Sequence, residues 1–218
     1  MNLRFDLITQ YLPMFENGLL VTLKFTALSM ILGFILGALL AVFKVSKCKP
    51  VLWLCNFYTS ICRGVPLMVQ LFMVYFAIPQ LTGYKITALQ AGFLTFGLNG
   101  AATISETLRG GIAAVDWGQT EAAMALGVNY VRIMKDIVFP QAIRSVLPAL
   151  VNEGIMMLKN SSLISTIGVL DILRAAQTIQ SLTYVAFEPL LIAAVMYYIL
   201  VMLLTFFANY LERRLKKS

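Results

Sequence analysis

Between residues 19 and 43 a single charged side chain, Lys24, interrupts an otherwise apolar run. A hydrocarbon core of roughly 30 Å takes about 20 apolar residues per helix, and a helix satisfies its own backbone polar groups there. A stretch of this kind reads as a membrane helix. Four more follow: 51–78, broken by Arg63-Gly-Val-Pro66; 87–108; 140–167, opened by Pro140; and 189–208. The 218 residues are 60% apolar and 12% charged, against ~25% charged in ordinary soluble domains. Mean hydropathy is +0.83. The expectation is an all-α membrane protein of about five transmembrane helices, a single domain over 1–218.

The net charge of +7 could signal nucleic-acid binding. Much of the basic charge, however, lies in short flanks, Lys44-Val-Ser-Lys47-Cys-Lys49 and Arg213-Arg-Leu-Lys-Lys217. That is the pattern of loops kept on the cytoplasmic side, and no nucleic-acid partner is expected. With both flanks inside, five crossings put the N-terminus outside, the C-terminus in the cytoplasm and the 112–139 loop inside. Residues 1–17 mix Asp6, Gln10, Pro13 and Glu16 into an apolar background. Segment 1–18 therefore reads as an amphipathic piece on the membrane surface, not as a cleavable signal peptide. Gly33 and Gly37 have the spacing that lets helices approach closely.

No fixed-period repeat supports an inverted-repeat carrier. Cys48, Cys55 and Cys62 are spaced by seven with no His and no CxxC in the chain. They read as reduced, buried or cytoplasm-facing thiols, and no metal site is expected.

The loop 112–139 carries the most specific signal. Glu121-Ala-Ala-Met-Ala-Leu-Gly127 is a helix-forming run ended by glycine, followed by Arg132, Lys135 and Phe139-Pro-Gln-Ala. It predicts two short helices separated by a turn, with the Glu121 carboxylate at a helix N-terminus and Gly127 as a left-handed cap. Small Ala122 and Ala123, with Leu126, suit insertion into a partner's groove. The run and its spacing to Phe139-Pro-Gln-Ala resemble the "EAA" coupling loop of ABC importer permeases. Arg63-Gly-Val-Pro66-Leu-Met-Val-Gln70, Leu98-Asn-Gly-Ala-Ala…Glu106…Arg109-Gly110 and Leu158-Lys-Asn-Ser-Ser-Leu163 extend the likeness over most of the chain. Together they resemble the polar amino acid permeases, which include glutamine, histidine, arginine and cystine permeases.

The resemblance implies the type I ABC importer permease fold in the bacterial cytoplasmic (inner) membrane. It also implies a dimer of permease subunits, of the same or related chains, and two ATP-binding subunits docked on Glu121, Ala122, Ala123, Leu126 and Gly127. An extracytoplasmic binding protein delivers the substrate. No GxxxxGK[ST] phosphate loop occurs in the chain, so ATP and Mg belong to the partner and this chain is not itself an enzyme.

Polar groups at membrane depth are functional candidates, because they are costly unless paired or facing a cavity. Glu153, Met156 or Met157, and Asn160 recur at helical spacing and share one face. That stripe can bind an amino acid's ammonium and side chain; the bland alternative is helix–helix hydrogen bonding. The resemblance implies that it and the third stretch line a substrate site near the bilayer midplane. Carried over residue by residue, the site is Asn99, Thr103, Glu153, Met157 and Asn160, with backbone donors from the break at Gly64, Val65 and Leu67. Arg63, Glu106 and Arg109 read as structural or gating ion pairs.

Two departures from the family matter: Asn160 stands where an Asp is frequent, and Thr103 where an aromatic residue is. Fewer acids favour a neutral substrate over a guanidinium. The expected cargo is a polar amino acid, glutamine-like first, then arginine or histidine, then cystine. An ion-coupled secondary carrier would leave the 121–127 run without a partner, and a non-transporting scaffold would leave the polar stripe without a use.

Overall fold

The computed structural model describes residues 4–45 and 48–215, and the regular structure among them is helical. Residues 1–3 of the amphipathic segment, and Lys47, Lys216 and Lys217 of the basic flanks, lie outside the described residues. Two 3-10 turns, Phe5–Leu7 and Thr9–Tyr11, lead into α1, Leu12–Val45. Then come α2, Lys49–Gly64; α3, Leu67–Thr82; α4, Ala88–Ala113; and α5, Trp117–Ala125. The chain ends with α6, Tyr130–Ile167; α7, Ile172–Thr183; and α8, Phe187–Leu215.

At 1.5 Å per residue the 34 residues of α1 reach about 51 Å, well past the 19–43 stretch read from composition. Residues 12–18 belong to this helix. Ile8 and Phe15 are buried against Ile172, Ala175 and Ile179 of α7.

α4 packs between α1 and α6. A Cβ on Gly33 would lie 3.4 Å from the Gly100 backbone, and one on Gly37 would lie 2.9 Å from Ile104 Cβ. The close α1–α4 approach expected from the two glycines is thus built on backbone contact. Below the seam, Phe25 and Phe96 meet edge to face with centroids 5.0 Å apart, inside a cluster with Leu71, Met157 and Ile164.

By length and composition, two helices among the described residues can cross a membrane, Phe5–Val45 and Phe187–Tyr210. The number rises to four if each bent pair counts once: α2 with α3, bent by 103°, and α6 with α7, bent by 43°. α4 fails on hydropathy for a physical reason. It is walled by other helices, and its polar residues meet protein instead of lipid.

Two prolines inside helices, Pro79 and Pro140, behave alike. α3 is π-helical over Met73–Ala77, just before Pro79, and α6 is π-helical over Ile133–Val138, just before Pro140. A proline inside a helix lacks an N–H and its ring strikes the carbonyl four residues back. Those carbonyls, of Tyr75 and Asp136, both fall inside the wider π turns. Pro140 therefore does not open the fourth helix. Asn129 does, its side chain accepting from the Val131 N–H at 2.9 Å, and the second short helix expected in the loop is continuous with α6.

Candidate functional site

At the junction of α3, α4 and α6 a cavity of about 40 Å³ is lined by Leu67, Asn99, Thr103, Glu153, Met157 and Asn160, together with Met156, Phe96 and Gly100. Six of the eight substrate residues read from sequence meet here. Gly64 and Val65 do not line it. Val65 donates its N–H to Ile61 O at 3.0 Å, closing α2, and Gly64 is the last α2 residue. The donors that the break leaves free of helical bonding are the first-turn N–H groups of α3, at Leu67 and Met68. Phe96 and Gly100 were missed because neither side chain advertises chemistry. Gly100 admits the tip of Met157, which would lie 2.7 Å from a Cβ.

The polarity of the cavity is uneven. Asn99 donates to Cys62 O at 2.8 Å and, weakly, to Gln70 Oε1 at 3.4 Å, while Thr103 donates back to Asn99 O at 3.2 Å. Among the described residues, nothing hydrogen-bonds the Glu153 carboxylate. The Arg63 guanidinium is near enough for its charge to act on it. A half-buried acid, two amides and a thioether can hold an ammonium and a polar side chain, but 40 Å³ has room for little more than a water or two. Two larger hollows, about 640 and 680 Å³, share Phe34, Leu147 and Leu150. They are almost wholly apolar and offer nothing to hold a zwitterion.

Glu106 pairs with Arg109 at 2.9 Å and with Lys44. Lys44 overturns its sequence reading. Instead of flanking the membrane in solvent, its ammonium is fully buried and also donates to Thr59 Oγ1 at 3.0 Å and Ser105 Oγ at 3.2 Å. α1 runs far enough to carry it inward. Arg63 takes no part in this cluster. Lys159 is exposed at the point where α6 tightens into the 3-10 turn Ser161–Ile167. Cys48 is exposed, while Cys55 and Cys62 are buried, and all three are free thiols.

In the loop, α5 is capped by Asp116, whose carboxylate accepts from the Gly118 N–H at 2.9 Å. The helix-opening acid is therefore Asp116, and Glu121 sits in the second turn. Gly127 has φ +75°. Its N–H bonds Met124 O at 2.9 Å, and the Val128 N–H bonds Ala123 O at 3.1 Å, the paired bonds of a Schellman cap. Ala123 packs inward against Ile133 and Val138. Glu121, Ala122, Leu126 and Gly127 are exposed, and Leu126 projects its side chain at 83% exposure. A short rigid helix ending in a free leucine is suited to a groove.

A family described as binding-protein-dependent transport system inner membrane component matches residues 10–217. Over 218 residues, 100% of both chains, the protein is 45% identical to the arginine transport system permease protein ArtQ of Bacillus subtilis (strain 168). It is 47% identical over 199 residues, 91% of each chain, to the putative glutamine transport system permease protein GlnP of Rickettsia felis (strain ATCC VR-1525 / URRWXCal2). A crystal structure of an amino acid ABC transporter with histidines superposes with a TM-score of 0.94 at 40% identity, covering 98% of this chain and 100% of that one.

Proposed function

The chain belongs to the binding-protein-dependent transport system inner membrane component family, and from that premise we propose that it moves a polar amino acid, glutamine-like first, through the α3–α4–α6 cavity into the cytoplasm. It is the permease subunit of an amino acid ABC importer, and a partner hydrolyses the ATP. The observation that carries the site is the convergence of Glu153, Asn99 and Asn160 on one cavity from two helices. Glu153 meets the α-ammonium, the amides meet a polar side chain, and the α3 first turn meets the carboxylate. Relatives named for arginine and for glutamine are each compatible with this set. The Glu153 carboxylate, open to a second cation, keeps arginine or histidine as the second reading.

In this proposal α1, the bent α2–α3 pair, α4, α6 and α8 are the five crossings, with the N-terminus outside and the C-terminus in the cytoplasm of a bacterial inner membrane. A second permease subunit, two ATPase subunits and a binding protein complete the importer. ATP closes the ATPase pair, α5 follows through Leu126 and Glu121, and α6 carries the motion directly to Glu153 and Asn160. Energy enters through the partner's unequal affinity for the two permease states. The small volume of the cavity belongs to the closed state; rocking opens it.

The test is uptake by proteoliposomes holding the whole importer. Glu153→Ala with Asn160→Ala should lower uptake by about tenfold or more, and a panel of amino acids ranked by stimulation of ATPase names the cargo. Undiminished uptake in the double variant removes the cavity from the pathway, and uptake that persists without ATP removes the ABC mechanism.

A further inference from the structure

Gln70 lies one turn into α3 and outside the cavity lining. Its Nε2 donates to Cys62 O and to Val65 O, each at 2.7 Å. These are two carbonyls at the end of α2 that the helix itself leaves without donors. Carbonyl oxygens only accept, so the amide has one workable orientation, with the NH2 toward the break and Oε1 away from it. Oε1 then receives the Asn99 amide at 3.4 Å, and the same Asn99 nitrogen reaches Cys62 O at 2.8 Å. Both donors of Asn99 are thereby engaged by acceptors, and the atom it has left for any ligand is Oδ1, an acceptor.

We propose that Gln70 is a positioning residue that sets the polarity of the site: Cys62 O takes one Asn99 N–H and Gln70 Oε1 takes the other, which leaves Asn99 only its oxygen, an acceptor, for a ligand N–H. The inference rests on the proposed cavity being the transport site. Its consequence is specific. Asn99 Oδ1 and the Glu153 carboxylate are then both acceptors at the one cavity, and the pair selects a ligand bearing donors, the α-ammonium or a side-chain amide or guanidinium N–H. A substrate presenting only carboxylates there would meet repulsion. The break supplies the logic: the two α2 carbonyls orient Gln70, Cys62 O and Gln70 together occupy the Asn99 donors, and Asn99 offers its oxygen to the ligand's donors.

The experiment is a double-mutant cycle in proteoliposomes containing the complete importer with its ATPase and binding protein. Gln70→Glu keeps the length but removes both donors, and Gln70→Met removes the hydrogen bonds and keeps the volume. Each is expected to lower uptake of the preferred amino acid about tenfold in the Asn99 background and by less than about twofold in an Asn99→Ala background, because the effect is routed through Asn99. A tenfold loss in both backgrounds shows that Gln70 acts on the fold alone and overturns the inference, as does full uptake by both single variants. If Asn99→Ala by itself leaves uptake unchanged, the cavity reading fails, which separates that failure from this one. Should Gln70→Glu fail to assemble, Gln70→Met and its pair with Asn99→Ala close the cycle.

Discussion

Two broken helices bracket the cavity, and they are held in opposite ways. The α6–α7 break, at residues 168–171, is welded. Asp171 is fully buried, accepts from the Arg174 N–H at 2.8 Å and the Tyr197 hydroxyl at 3.1 Å, and the adjacent Ile172 N–H donates to Thr22 of α1 at 3.3 Å. Three helices lock on one turn, and a Cβ on Gly18 would come within 2.8 Å of Asp171 O. The α2–α3 break turns far more sharply, 103° against 43°, yet the side chains that bond its carbonyls among the described residues are the neutral amides of Gln70 and Asn99, and nothing lies within 4 Å of a Cβ on Gly64. One corner is pinned by hydrogen bonds to two other helices. The other borders the cavity and has room to adjust. A transporter needs both, because rocking requires a rigid lever and a site requires a wall that yields.

The sharp corner is anchored at a distance by Lys44, which ties α1 to Thr59 on α2 and to Ser105 and Glu106 on α4. Removing the buried ammonium takes the donor from Thr59 and Ser105 and leaves Glu106 with Arg109 alone, so Lys44→Met should cost about 3 kcal/mol and lower the thermal midpoint of the purified importer. Adding Glu106→Gln, which removes the carboxylate charge that the exposed Arg109 alone then offsets, should recover part of that loss. If the double variant is no better than the single, Lys44 stabilises by packing and not by charge, and α2 is not tethered as described.

The welded corner is tested at Gly18. Gly18→Val drives a side chain into backbone that cannot give way, and overpacking of this kind costs about 2 kcal/mol. Equal stability of this variant and the parent would mean that the α1–α7 contact is as loose as the other corner, and the comparison would collapse.

How much of this was readable beforehand depended on range. Glu153, Met157 and Asn160 were legible because helical spacing alone puts them on one face, and the two long apolar helices, Phe5–Val45 and Phe187–Tyr210, were legible because lipid demands their length. Gly127 was legible too, since glycine after a helix-forming run is a local stop signal. Lys44 was not, because a lysine near a helix end looks the same whether it meets headgroups or three acceptors on other helices. Gln70 stood in a recognised motif without a role, since its partners Cys62, Val65 and Asn99 are set by the 103° bend. Asp171 was not legible either, because its partner Tyr197 belongs to another helix. Phe96 and Gly100 line the cavity through shape, which a residue list does not express.

Two glycines with positive φ separate stability from coupling. Gly168 at the welded corner (φ +87°) and Gly127 in the loop (φ +75°) both have open space around a Cβ. Alanine at either should therefore cost only backbone strain, about 1 kcal/mol. Transport should distinguish them. Gly127→Trp, beside exposed Leu126, is expected to abolish substrate-stimulated ATPase while the protein still inserts, whereas Gly168→Ala should leave stimulation close to normal. Stimulated ATPase preserved in the Gly127 variant would remove the loop as the coupling element.

The smallest effect is the most pointed. Gly64 closes α2 at the adjustable corner with ordinary helical backbone and no neighbour within 4 Å. Gly64→Ala should therefore shift stability by no more than about 0.5 kcal/mol, in the stabilising direction if anything, because alanine restricts the unfolded chain. If the corner adjusts during transport, the same change stiffens it, and uptake should fall modestly while the thermal midpoint holds or rises. A parallel loss of stability and uptake would instead mean that the corner is packed in a state other than this one, against the second permease subunit, and that its freedom belongs to the isolated chain.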